Sequence, residues 1–600
     1  MKRISSVSED TEFTFNPLIV LELAKKTQNE TIEWLTQRIK ERKHLGGAHL
    51  KIKPLDAHTK NSQIFLIGAS WRRLLVGAEA LGLVKEYQDG SMRAFIYQNK
   101  EDYKYFSDNN DDFLTMAEQQ YIIKRELENL RAINETMVPG YPQAKLYPGK
   151  SIIRRLQTSG LLLQIYPLHN KTELKKLGTI WYKRLQVALQ PLKVWKRWCA
   201  KLSYQWGTLL MKRQFEEPRP GFHGKLGLNP VTGRKEPTYP TYKRQLRIYL
   251  ISVPFVCLSL YISLFVMMIY FQMEALALAY SKEDQSFFSS ILLYCPSIIY
   301  GVVIEIMNRL YKYAAEWLTS WENHRLESSY QNHLILKVLV FNFINCFASL
   351  FYIAFILQDM KLLRQSLAAL LITSQILNQF VESVLPYWLQ KRRNRILKKK
   401  FHISSLEKEL PLVDQVKLER EMDKYLGTFD DYLELFQQFG FVSLFSCVYP
   451  LAAILAVLNN ITEVYTDGLK MCCVFQRPFF EPVSDIGVWL LAFETMGIIS
   501  VMTNCALIGM SPQVKRLFQR NDVELVLLVL AIEHVLLALK FILAFAISDV
   551  PSDIRTKVAR MEFESLKALK QKQMKEADES MAKEEQLDET KREQEEKKKI

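Results

Sequence analysis

The chain is 600 residues long, 48% hydrophobic, 12% aromatic and 24% charged, with 79 Lys and Arg against 64 Asp and Glu for a formal net charge of +15. Those averages fit a large soluble protein, yet the apolar residues are gathered between residues 247 and 547 into runs of about 20, long enough to cross a ~30 Å hydrocarbon layer as helices. Runs of that kind exclude a soluble enzyme, a collagen-like or disordered chain and a small disulfide-stapled domain, and they predict an α-helical polytopic membrane protein.

Met1 to Phe15 carries charges and no apolar centre, so no cleaved signal peptide is expected and the amino-terminal domain, residues 1–180, is placed in the cytosol. Pro17 to Leu23 reads as a strand, Glu30 to Arg42 as a helix, and His49 to Pro54 and Gln63 to Gly68 as short strands. Trp71 to Leu83 is helical with Leu74, Leu75, Ala78 and Leu81 on one face, and Val84 to Tyr97 reads as a strand pair or one bent strand. The order β-α-β-β-α-β predicts a ferredoxin-like α+β domain. Asp108 to Asp112 has the first three oxygen ligands of an EF-hand loop, but Phe113 and Gln119 stand where Gly and Glu are required, so it is read as the cap of a helix from Phe113 to Ala132. Pro139 to Gly149 reads as an extended linker.

The apolar spans are Arg247 to Leu278, Phe287 to Leu310, Leu334 to Leu357, Leu362 to Leu389, a long stretch from Tyr432 to about Val474, Ile486 to Met510, and Val523 to Ile547. Pro450 lets the long stretch fold as two helices, which makes about eight crossings within a membrane domain at 247–550. Seven basic residues among the ten from Lys391 to Lys400 place that loop on the cytosolic side, at an anionic leaflet. An even number of crossings then returns the charged tail, 551–600, to the cytosol. Five of the eight cysteines, Cys257, Cys295, Cys346, Cys447 and Cys505, fall within apolar runs as small hydrophobes, and no CxxC pair suggests zinc.

Carboxylates within such spans are costly and point to function. The fourth span carries Gln375, Asn378, Gln379 and Glu382 at helical spacing. Asp431 and Glu434 precede Pro450, and Glu463 and Asp467 follow it, by counts that bring both pairs to a similar depth at 1.5 Å per residue. Asn378, Glu382, Asp431, Glu434, Glu463 and Asp467 together offer the oxygen ligands that calcium prefers, and without cations the clustered charges repel. The plain alternative is that Asp431, Glu463 and Asp467 are interfacial residues at helix ends.

Asn378-xxx-Glu382, Asp431-xx-Glu434 followed by Gln438-Phe-Gly-Phe-Val-Ser-Leu-Phe445, and Leu458-Asn-Asn-Ile-Thr-Glu463-xxx-Asp467 resemble the calcium-site motifs of the anoctamin family of calcium-activated chloride channels and phospholipid scramblases. Asp431 departs from the glutamate usual there. Trp321-Glu-Asn-His-Arg325, Gly207 to Arg213, Pro218 to Gly224 and Pro139 to Lys145 are similar to one branch of that family in particular. The resemblance implies ten membrane helices, the first two between the regions of Trp181 and Trp206. That interval is too short here, so 181–246 is read as a linker lacking the first hairpin.

The resemblance implies calcium-regulated lipid scrambling without catalysis, along a polar groove lined by Asn342, Asn345 and Ser349 of the third span and the polar face of the fourth. The alternative for those three residues is hydrogen bonding between helices. An anion conductance would want basic side chains along a pore, and those two spans offer only Lys337 and Arg364. A third possibility is a regulatory or tethering subunit. The expected partners are membrane lipids and a second copy or another anoctamin, with no nucleic acid; the expected location is an intracellular or plasma membrane. No nucleophile–base, metalloprotease or phosphate-loop motif suggests an enzyme.

Overall fold

The computed structural model describes residues 16–55, 62–106, 113–133, 135–147, 151–184, 192–209, 219, 221–228, 235–283, 295–400, 411–517 and 522–564, with scattered positions to 581. The EF-hand-like stretch at residues 108–112 lies outside them.

The amino-terminal unit is built on β1, Ile19–Ala24, whose six residues are all buried. It is joined in sequence by α1 (Asn29–Lys40), β2 (Lys51–Leu55), β3 (Ser62–Gly68) and α2 (Trp71–Ala80). Leu74, Leu75 and Ala78 of α2 are buried and Leu81 packs against the same core, the face that the spacing predicts. β4 (Val84–Glu86) and β5 (Met92–Ala94) form the expected pair, but as a separate hairpin. Next come α3 (Met116–Glu128), β6 (Met137–Val138), β7 (Tyr141–Lys145), α4 (Ile152–Thr158) and β8 (Leu162–Pro167).

The main sheet is antiparallel in the order β2-β3-β1-β8. Its last strand is therefore β8, and the expectation that Val84 to Tyr97 closes it is corrected. A fully buried central strand needs hydrogen bonds along both edges. The three-residue strands of the β4–β5 hairpin, carrying Lys85, Glu86 and Arg93, cannot cover it, whereas β8 runs alongside Ile19 to Leu23 with Leu162 and Tyr166 buried. Two further corrections are local. Thr115 caps α3, its hydroxyl accepting from the Glu118 backbone N–H while Glu118 reaches back to the Thr115 N–H. Pro139 to Gly149 contains not an extended linker but the return strand of the β6–β7 hairpin.

The membrane region follows α5 (Lys171–Arg184), α6 (Leu192–Gln205) and a two-stranded pairing of β9 (Lys225–Leu228) with β10 (Lys235–Thr238). Its helices are α7 (Thr241–Arg247), α8 (Val253–Glu283), α9 (Cys295–Glu322), α10 (Glu327–Phe351), α11 (Met360–Gln379), α12 (Leu385–Lys400), α13 (Leu412–Arg420), α14 (Phe429–Leu444), α15 (Leu451–Leu469), α16 (Val488–Met510), α17 (Pro512–Leu517) and α18 (Asp522–Ala546). Single π-helical turns extend four of them, at Ile248–Ser252, Tyr352–Leu357, Phe380–Val384 and Lys470–Val474.

Among the described residues four helices are long and apolar enough to cross a membrane: Thr241–Tyr280, Glu327–Leu357, Val488–Met510 and Val523–Ala546. The described parts of the other predicted spans are helical too, but α9 carries Glu305, Arg309 and Lys312, and α14 is only 16 residues long. Pro450 sits at the start of α15, where the predicted hairpin turns.

α10 is the buried pillar of this region, with Leu334, Val338, Phe341, Phe347 and Leu350 enclosed by α8, α9, α14 and α16. α14 comes against it at Gly440, where a Cβ would collide with the Phe347 ring. The glycine is therefore required by close approach of two helices.

The two regions dock through α13 and residues 475–481. Arg420 pairs with buried Glu22 at 2.8 Å, the Tyr166 hydroxyl donates to the Val416 carbonyl, and Arg477 pairs with Glu173 at 2.7 Å. Glu419 lies buried in this interface, accepting from the His169 backbone N–H and the Gln415 amide. Burial pushes its pKa up to about 7, against hydrogen bonds from Gln415 and His169 and the charges of Arg477 and Lys171, which act downward. Burial holds the neighbouring His169 below its ordinary value.

A carboxyl whose folded pKa is raised gives stability that is complete below its unfolded value, 4.5, and is lost as pH rises through about 7. The loss amounts to at most about 3 kcal/mol for a shift of this size. Limited proteolysis at the junction should therefore be faster at pH 8 than at pH 6, and Glu419→Gln should flatten the difference.

Candidate metal centre

α14 opens with two carboxylates in its first turn, where the positive end of the helix dipole favours them. Asp430 accepts both its bonds from Lys312 of α9, at 2.6 and 2.7 Å. Asp431 turns the other way. The Tyr425 hydroxyl donates to it at 3.5 Å, and Asp467 and Lys470 are the charges acting most strongly on it. One turn on, Glu434 has a carboxylate oxygen shielded from solvent.

α15 runs antiparallel after the Pro450 turn and brings Glu463 and Asp467 to the same level. Both are half-buried. The Gln379 amide at the end of α11 donates to Glu463, which ties the fourth predicted span to the hairpin at that depth. Asn378 is the next residue back on α11, and Glu382 belongs to the π turn that continues it; their side chains lie outside the described residues. The backbone thus gathers three helices at one level; of the side chains described there, Glu463 and Asp467 share Lys470, whereas among the described residues no three of Asp431, Glu434, Glu463 and Asp467 bring their ligand atoms within 4.8 Å of one another. All are hard oxygen donors, the set that calcium selects over softer metals.

Sequence reasoning passed over Lys470, whose ammonium lies 3.1 Å from Asp467 and 3.5 Å from Glu463. The signal was present in its spacing, i+3 and i+7 from the two acids.

A second cluster joins Glu322, His324 and His333, with possible ligand atoms all within 4.8 Å of one another. It is already filled by protein. Glu322 accepts from Ser252, from His324 at 2.8 Å and from Lys337 at 2.8 and 2.9 Å, and the two imidazole rings stack at 4.3 Å. An ammonium on both carboxylate oxygens leaves no electrostatic reason for a metal; the cluster ties the π turn before α8 to α9 and α10.

Lys337→Met should strand a buried carboxylate and cost about 3–5 kcal/mol, read as a lowered midpoint of thermal unfolding in detergent. Adding Glu322→Gln should recover most of that loss.

The polar residues proposed for a groove are buried. Asn345 donates to the Ile304 carbonyl and to Asn308 and accepts from Ser263; Asn342 accepts from Gln437 at 3.0 Å; Ser349 is enclosed. For the two asparagines, the alternative of bonding between helices is the one observed. Lys540 and Glu494 of the last two long helices are also engaged, Lys540 with the Glu494 carbonyl and Glu494 with Lys196 of α6.

Residues 179–561 match the family described as "Anoctamin: Calcium-activated chloride channel". Anoctamin-10 of Homo sapiens is 58% identical over 641 aligned positions, covering 96% of this chain and 97% of that protein, and anoctamin-10 of Danio rerio is 55% identical with 96% and 99% covered. Anoctamin-8 of Mus musculus is more distant, 24% identical over 92% of this chain and 77% of its own length. The chain belongs to the anoctamin family. Since 96% of 600 residues is about 576, about 65 of the 641 positions aligned with the human relative have no residue here.

Proposed function

We propose that this chain is a calcium-regulated membrane protein that scrambles phospholipid, with calcium held by Asn378, Glu382, Asp431, Glu434, Glu463 and Asp467. The observation that carries the reading is the meeting of α11, α14 and α15 at one level, with Gln379 bonded to Glu463, and Glu463 and Asp467 sharing Lys470. Bound calcium would neutralise carboxylates that otherwise repel, drawing the three helix ends together. The chain's own share is to supply the oxygen donors and to hold them at one depth through the α10–α14 contact at Gly440.

Lipid is favoured over chloride because the two basic side chains of the predicted third and fourth spans are engaged, Lys337 with Glu322 and Arg364 with the Val448 carbonyl. A second reading, a subunit that regulates other anoctamins without conducting, draws on the enclosed Asn342, Asn345 and Ser349 and on the roughly 65 aligned positions without a counterpart. That number is about the length of two membrane helices and a turn, and the loss of such a pair would leave both termini in the cytosol. The strand order β2-β3-β1-β8 supports a ferredoxin-like domain on that side.

Reconstituted protein should flip lipid faster with calcium and leave chloride flux unchanged; Glu434→Gln should raise the calcium requirement about tenfold or more, since it removes a charged ligand. Unaltered calcium binding in that variant would refute the site. Chloride flux without lipid movement would refute the lipid reading, and silence in both assays, relieved by adding a ten-helix relative, would establish the regulatory one.

The cytosolic end of α12 is proposed to lie on anionic lipid. Tyr387 and Trp388 are exposed beside Lys391 and Arg392, as aromatic and basic anchors at an interface would be. Neutralising four basic residues between Lys391 and Lys400 should weaken binding of that isolated segment to anionic vesicles, at about 1 kcal/mol per residue. Equal binding to neutral and anionic vesicles would oppose this.

A further inference from the structure

α15 and the π turn that follows it carry one basic residue in contact with the face holding Glu463 and Asp467. Lys470 opens that π turn, which ends the helix at Val474. Its side chain is 9% exposed, an unusual burial for a lysine and one that requires a paired charge. Its ammonium bridges Asp467 and Glu463, and its field reaches Asp431 on the facing helix.

We infer that Lys470 is a tethered counter-ion of the acidic constellation, which holds the carboxylates together when no divalent cation is bound and must be displaced when calcium enters. The inference rests on the assignment of Glu463 and Asp467 as calcium ligands. The ammonium engages the same pair of side chains, one helical turn apart, that would grip the ion from α15. A calcium ion between those carboxylates would lie within a few ångströms of a like charge in a medium that screens poorly, so the two cations exclude each other. The four-carbon stem lets the ammonium swing away without movement of the helix. Calcium binding is then an exchange of one cation for another, and the affinity of the site is set as much by how firmly Lys470 is held as by the ligands themselves. The lysine also gives the constellation a reason to remain assembled at low calcium, where five clustered carboxylates would drive their helices apart.

The test measures calcium binding by titration calorimetry, and thermal unfolding with calcium and with chelator, on the full chain in lipid nanodiscs. Lys470→Gln should bind calcium at least tenfold more tightly and unfold at a lower temperature in chelator, whereas Lys470→Arg, which keeps the charge, should stay near the parent in both. Should Lys470→Gln fold only in the presence of calcium, that result supports the inference by itself. Failure of both Lys470→Gln and Lys470→Met to fold even with calcium would overturn it, because the lysine would then be needed whatever cation is present. Calcium affinity unchanged or weaker in Lys470→Gln, with Glu434→Gln weakened as expected, would overturn the inference and leave the site standing. Unchanged binding in Glu434→Gln would bring down the site, and the inference with it.

Discussion

Like charges gathered where water is scarce must be neutralised or kept apart, and the architecture of the membrane region answers to that requirement. Asp430 is answered by Lys312, Glu322 by Lys337, Glu494 by Lys196, and Asp467 and Glu463 by Lys470. Three of these pairs tie one helix to another. The fourth joins residues of a single helix and its terminal turn, so its opening breaks no direct ion pair between helices. That difference separates charges that fix the fold from charges available to an incoming ion.

The constellation is joined to the amino-terminal domain by a short path. Tyr425 donates to Asp431 and its ring meets Phe475 edge-on at 5.6 Å. The next residue, Gln476, donates its backbone N–H to the Asp423 carbonyl and its amide to the Glu419 carbonyl, while the Phe475 carbonyl faces the His169 ring. Phe475 directly follows the π turn that Lys470 opens. The carboxylates are thus joined by direct contacts, within a few residues, to the segment on which the amino-terminal domain is seated.

Much of this was legible in the sequence because it rests on local periodicity. The α2 face of Leu74, Leu75 and Ala78 and the turn at Pro450 follow from spacing and from the chemistry of proline. What was not legible depends on pairing across long separations. β8 lies far along the chain from β1, and no local pattern marks it as the partner of Ile19 to Leu23. Asn342 and Asn345 read equally well as groove or as interior, since a polar face is the same sequence whether it meets lipid head groups or Asn308 and Gln437. For the candidate centre, the acids were found by their cost in an apolar run, and Lys470 was missed because a lysine at a helix end is ordinarily taken as facing water.

Gly440 and Glu434 stand six residues apart on one helix, and natural variation at the two should fail in different ways. Any side chain at 440 meets the Phe347 ring, so a variant there keeps every ligand atom and loses the framework that aligns them, a defect of assembly visible as low abundance in the cell. If Glu434 holds calcium as proposed, a change at 434 leaves the framework intact and alters only the response to the ion. Neighbouring missense alleles in one helix would thus belong to separate genetic classes, the first open to rescue by lowered temperature or chemical chaperones and the second indifferent to both.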